Sequence, residues 1–123
     1  MGVPVRMDAL NRHLDENSRV EHPEGWDPLV SGLNSALEKI SSAYILHQTK
    51  EKFGQLRFYA TFVSPDGSTP EESKEAMDRF HQLIYIAEDQ SLTLCEMCGS
   101  NATRAARGGY YRTLCKDHWR NRG

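Results

Sequence analysis

The sequence predicts an α+β fold in one small unit, and three observations carry that prediction. Two stretches, from 28 to the mid-40s and from 70 to 89, repeat apolar residues at three- and four-residue steps, the period of an amphipathic helix. Between them, Leu56-Arg57-Phe58-Tyr59-Ala60-Thr61-Phe62-Val63 alternates residue by residue, as a strand with one buried face does. Beyond residue 93, three cysteines and a histidine are spaced as metal ligands. The expected order is helix, β-hairpin, helix and a C-terminal metal-binding module. Residues 1–23 are expected to be an N-terminal arm, 24–92 the α-β-β-α body, and 93–123 the module, docked on the body.

The arm has mixed polarity and no sustained period. A short helix over Met7–Leu14 is the most it suggests, and His22-Pro23-Glu24-Gly25 ends anything before it. Asp27 is a natural N-cap with Pro28 at the first helical position, and Leu29, Leu33, Leu37, Ile40 and Tyr44 form the stripe that follows. Trp26 is read as a core aromatic stapling back onto the first turns. Ile45 to Thr49 is the expected partner of the alternating strand, with Lys50-Glu51-Lys52-Phe53-Gly54 as the loop and Gly54 supplying its positive φ. Ser64-Pro65-Asp66-Gly67-Ser68 is a turn. Thr69-Pro70-Glu71-Glu72 starts the second helix, with Thr69 as cap and acids in the first turn. Ala76, Met77, Phe80, Leu83, Ile84 and Ala87 give it a broad apolar face, and His81 lies off it.

The strongest chemical signal is Cys95-x2-Cys98 answered by Cys115-x2-His118. Two tight pairs separated by a hairpin's length of chain suit one four-coordinate Zn²⁺, which takes thiolates and imidazole in a closed tetrahedron. Gly99 allows the chain to turn back over the ion, Gly108-Gly109 fits a tight hairpin turn, and Tyr110–Leu114 is a short strand. Cys115 and His118 share a face if a helix begins there, and its N-terminus favours a thiolate at Cys115. Knuckle, hairpin and helix together resemble a treble-clef zinc finger, with a structural ion. The odd cysteine count suits such a site in a reducing compartment better than disulfides.

Charge is uneven along the 123 residues, whose net charge is −2. Past residue 93, Arg104, Arg107, Arg112, Lys116, Arg120 and Arg122 face only Glu96 and Asp117, whereas the preceding residues are net acidic. A basic tail suggests an anionic partner. No apolar run approaches the ~18 residues of a membrane span, and the N-terminal residues lack the apolar stretch of a secretion signal. A cytoplasmic location is expected.

The motifs of catalysis are missing. The chain has no Gly-rich phosphate loop ahead of a helix, no nucleophile elbow and no His-Glu-x-x-His pair. Residues 99–114 contain no histidine that could serve as a nuclease base, and His118 is taken as a ligand. A zinc deaminase would need an open fourth position, which four protein ligands close. The remaining candidate surface combines Lys50, Lys52 and Arg57 with Phe53 and Tyr59, cations interleaved with aromatics as in sites that hold phosphates and stack bases. An ordinary hairpin, or strand residues packed beneath the metal module, would show the same pattern.

Gly25-Trp26-x-Pro28-Leu29, Lys50-Glu51-Lys52-Phe53-Gly54-x-Leu56-Arg57-Phe58-Tyr59, Cys95-Glu96-x-Cys98-Gly99 and Thr113-Leu114-Cys115-x-x-His118 form an ordered series. Over residues 24–119 this series resembles a group of small uncharacterised bacteriophage and prophage proteins. The resemblance implies a phage-type accessory factor and no assigned activity. Three classes of function follow. The first is a non-catalytic binder of nucleic acid acting through the basic module, with Arg104, Arg107 and Arg112. The second is an inhibitor of host defence that binds a host protein or sequesters a nucleotide. The third is a nuclease-like enzyme with an unrecognised site.

Overall fold

A computed structural model describes residues 5–121 of the chain; the outermost part of the arm and Arg122 lie outside the described residues. The fold is mixed α+β. After 3₁₀ turns over Val5–His13 come β1 (Leu14–Val20), α1 (Asp27–Ile40), β2 (Ile45–Lys52), β3 (Gln55–Thr61) and α2 (Pro70–Gln90). A second hairpin of β4 (Thr103–Arg107) and β5 (Tyr110–Leu114) then leads to a short helix, α3 (Lys116–Asn121). The first three strands form one sheet in sequence order: β1 runs parallel to β2, and β3 is antiparallel to it.

The two long helices cover one face of this sheet and enclose the core. Val30, Leu33, Leu37 and Ile40 of α1 meet Phe80, Ile84 and Ala87 of α2 over Leu46, Leu56 and Phe58. Trp26 is fully buried, and its indole N–H donates to Leu94 O at 2.8 Å. Thr69 closes a capping box with Glu72, which anchors the start of α2. The apolar stripe of α1 runs on to Tyr44, but the helix stops at Ile40. Tyr44 is buried from the connecting loop, where its ring stacks on His13 at 3.9 Å and its hydroxyl donates to Asn34.

The arm packs more closely than its polarity suggests. Met7 and Leu10 are core residues, and His13 is buried between Tyr44 O and the Glu38 carboxylate. Residues 14–20 add an edge strand to the sheet. His22 links the next stretch to the body, with one ring nitrogen 2.7 Å from Thr49 Oγ1 and the other 2.8 Å from Asp27 Oδ1.

Leu33 of α1 and Phe58 of β3 are both buried in this core, so truncating either leaves a cavity. Leu33→Ala and Phe58→Ala are each expected to cost about 2–5 kcal/mol. Denaturant titration checks this, and an unchanged midpoint would mean the buried faces are misassigned.

Candidate functional site

The residues after α2 form a compact unit around the cysteines. Cys95 and Cys98 flank a knuckle that Gly99 completes at φ 79°, with Gly99 N–H bonded to Cys95 O at 2.8 Å. The β4–β5 hairpin turns at Gly108 and Gly109, both at positive φ. It delivers Cys115 to the start of α3, one turn before His118.

The four side chains converge. Cys98 Sγ and Cys115 Sγ are 3.8 Å apart, and His118 Nδ1 lies 3.1 Å from Cys115 Sγ and 3.3 Å from Cys95 Sγ. All four ligand atoms lie within 4.8 Å of one another, so together they could bind one metal ion. The surroundings favour thiolates unevenly. The His118 backbone N–H bonds the Cys115 sulfur and brings its pKa down to about 6, whereas burial raises the Cys95 thiol.

This unit is fastened to the body at two places. At the first, Gly25 N–H donates to Glu96 O at 2.8 Å, with the two backbones so close that a Cβ on Gly25 would stand 2.0 Å from Cys95 O. At the second, the β2–β3 turn meets the second hairpin. Thr113 Oγ1 donates to Gly54 O at 2.6 Å, and Arg104 Nε donates to Phe53 O at 2.6 Å. The buried Glu96 carboxylate accepts from Thr113 N–H at 2.7 Å and pairs with Arg112 at 2.9 Å. Arg112 also reaches Glu51 at 3.6 Å, and the other oxygen of Glu51 accepts Gly54 N–H.

These interactions sort the candidate residues. Arg112 is committed to Glu96 and Glu51 and serves the junction. Lys52, Phe53 and Arg104 are brought together with Tyr111: Arg104 stacks 4.2 Å from the Tyr111 ring centre, the Phe53 ring meets Tyr111 edge-on at 6.5 Å, and Lys52 lies 5.6 Å from the Phe53 ring. Arg107 stacks on Trp119 at 4.9 Å toward the hairpin tip, beside the exposed Tyr110. Lys50 lies 5.9 Å from the Tyr59 ring. Arg57 and Tyr59 line a groove against α2 rather than the seam with the metal unit.

Phe53 stands out in its backbone. With φ 56° followed by Gly54 at 78°, the pair makes a two-residue turn of the mirror-image type I geometry. Phe53 is the one non-glycine residue at positive φ among the described residues. A bulky residue there is strained, and its ring is 58 % exposed rather than buried in exchange.

Sequence reasoning did not single out Glu51, Glu96, Thr113 or Gly25 as the docking residues. Only an acid placed inside each of the two motifs, and a glycine beside Trp26, hinted at them. Among the described residues no helix is long and apolar enough to cross a membrane. No family model, curated protein or solved structure matches this chain.

Proposed function

We propose that the protein is a zinc-stabilised, non-catalytic binder of single-stranded nucleic acid. In this reading Cys95, Cys98, Cys115 and His118 hold one structural Zn²⁺ in a treble-clef-like module. Three thiolates and an imidazole are a zinc donor set. A tetrahedron with Zn–S bonds of about 2.3 Å has S···S edges of about 3.8 Å, and Cys98 and Cys115 stand at 3.8 Å. With four protein ligands the ion keeps no open position for a substrate, so its role is to shape the module.

The observation that carries the binding function is the Phe53 turn. A strained backbone holds an aromatic ring out toward solvent, and Arg104 bonds its carbonyl while stacking on Tyr111. The loop and the basic hairpin, separate in sequence, thereby become one surface of cations set among exposed rings. Bases stack on such rings whatever their identity, and Lys52, Arg104 and Arg107 can follow the phosphates. Few side chains here can read base edges, so selectivity between sequences should be low.

A labelled oligonucleotide titrated at two salt concentrations tests this. Affinity should fall with salt, and Arg104→Ala with Arg107→Ala should flatten the log–log slope by about 0.7 for each phosphate that is no longer neutralised. Phe53→Asn separates binding from folding, because Asn-Gly is a preferred pair for this turn. The variant should be as stable as the parent or more stable by up to about 1 kcal/mol, yet bind roughly five- to a hundredfold more weakly. No binding at low salt would refute the proposal.

A further inference from the structure

Between β3 and α2 lies an open groove of about 490 Å³, within the roughly 300–1,000 Å³ of small-molecule sites. Its walls bring together Arg57 and Tyr59 from β3, His47 from β2, and His81, Tyr85 and Glu88 from α2, with Lys52 at the turn. Three features distinguish it from an ordinary seam between helix and strand.

The first is charge. Lys50 and Arg57 stand directly opposite each other on β2 and β3, an arrangement that costs stability through like-charge repulsion. Among the described residues neither makes an ion pair within 4.0 Å; the Glu88 carboxylate near Arg57 offsets part of that repulsion, and a bound anion would offset the rest. The second is the pair of rings. Tyr85 is 65 % exposed and Tyr59 42 %, with Lys50 5.9 Å from the centre of the Tyr59 ring. The third is the bulge. β2 carries His47 as an extra residue between Leu46 and Gln48, a device that re-aims a side chain, and His47 is a wall of the groove.

The groove is not a place for an added peptide strand. Along the outer edge of β3, Leu56 N–H already donates to Ser91 Oγ and Phe58 N–H to the Glu88 carboxylate. A pairing strand would find both donors taken. The remaining chemistry is cations, imidazoles and aromatic faces beside one carboxylate, which suits a ligand carrying a phosphate and a flat ring with N–H donors.

We propose that this groove binds a nucleoside 5′-phosphate unit, its phosphate on Arg57 and Lys52 and its base against Tyr59 and Tyr85, with Glu88 accepting from the base. This deepens the nucleic-acid reading, since the groove opens beside Lys52 and the Phe53 turn. The unit is either a free nucleotide or one residue of a bound strand.

The test uses the full, metal-loaded chain. AMP, GMP, CMP and UMP are titrated by NMR up to millimolar concentration, with amides at 47, 57–60 and 81–88 as reporters. Shifts should concentrate at those positions. Arg57→Ala, at a half-buried position outside the core, and Tyr85→Ala, at an exposed one, should each weaken binding by about five- to a hundredfold. If Tyr85→Ala also weakens oligonucleotide binding, the groove takes a residue of the strand; if not, it takes the free nucleotide. The absence of shifts for all four nucleotides, or binding that neither variant alters, overturns the groove and leaves the ribbon of Arg104 and Arg107 standing. Mononucleotide binding without oligonucleotide binding would reverse that outcome, removing the ribbon and keeping the groove.

Discussion

Cys98→Ala is expected to abolish metal binding and to unfold the segment from Cys95 to α3. Apart from the few bonds that fasten Glu96, Arg104 and Thr113 to the body, little holds that segment in shape: β4 is exposed along its whole length, and α3 has no buried residue. In such small modules the metal's binding free energy, on the order of 10 kcal/mol, is the folding free energy. The body should persist, because the core of α1, α2 and the three-stranded sheet contains none of the four ligands. The expected result is therefore a chain that keeps most of its helical signal, loses its bound ion and becomes protease-sensitive after Leu94. Metal analysis of the parent should find one zinc per chain, and a natively folded parent without metal would remove the centre of the proposal. Acid should have a related effect. Cys115 has a lowered folded pKa, so its contribution is present at high pH and disappears as pH falls through about 6. Protons then compete with the ion for sulfur, and release on acidification should be visible with a zinc indicator.

The parts of this molecule readable in its sequence are those with a local cause. The capping box of α2 needs only Thr69, Pro70 and Glu72, and the alternation of β3 is self-contained. The four candidate metal ligands announce themselves by spacing. The features with no signature in the sequence depend on residues far apart along the chain. β1 is a polar edge strand whose residues Asp15, Glu16 and Asn17 are exposed, so it has no alternation to detect, and its parallel pairing to β2 breaks register between Leu14 and Arg19. Tyr44 continues the helical period by coincidence, four residues past the last helical position, and is buried for a different reason. The Lys50–Tyr59 stretch reads as one candidate surface in the sequence. Folding divides it: Phe53 and Gly54 join the metal unit, while Arg57 and Tyr59 turn toward α2. That division follows from Arg104 and Thr113, more than fifty residues away, and no local pattern encodes it.

Gly25→Ala tests whether the two halves work as one surface, and its effect should be large. The added Cβ would stand 2.0 Å from Cys95 O and 2.6 Å from Glu96 C and O, distances that no side-chain rotation relieves because the obstructing atoms are backbone. The knuckle must move off Gly25, giving up the bond to Glu96 O and disturbing the indole bond from Trp26 to Leu94 O. A destabilisation of about 4 kcal/mol or more is expected, in the range reserved for clashes at buried positions. The metal should stay bound, since the atoms the new Cβ meets are backbone atoms of Cys95 and Glu96 and not ligand side chains, so zinc content separates this variant from Cys98→Ala. Nucleic-acid affinity should nevertheless fall, although Gly25 is buried and carries no charge. With the knuckle displaced, Arg104 and Tyr111 fall out of register with Phe53, and a strand can no longer meet the loop and the hairpin together. Zinc content, thermal midpoint and oligonucleotide affinity measured on one preparation decide the matter. Affinity equal to the parent's, with the midpoint lowered, would show that the basic hairpin binds without the loop.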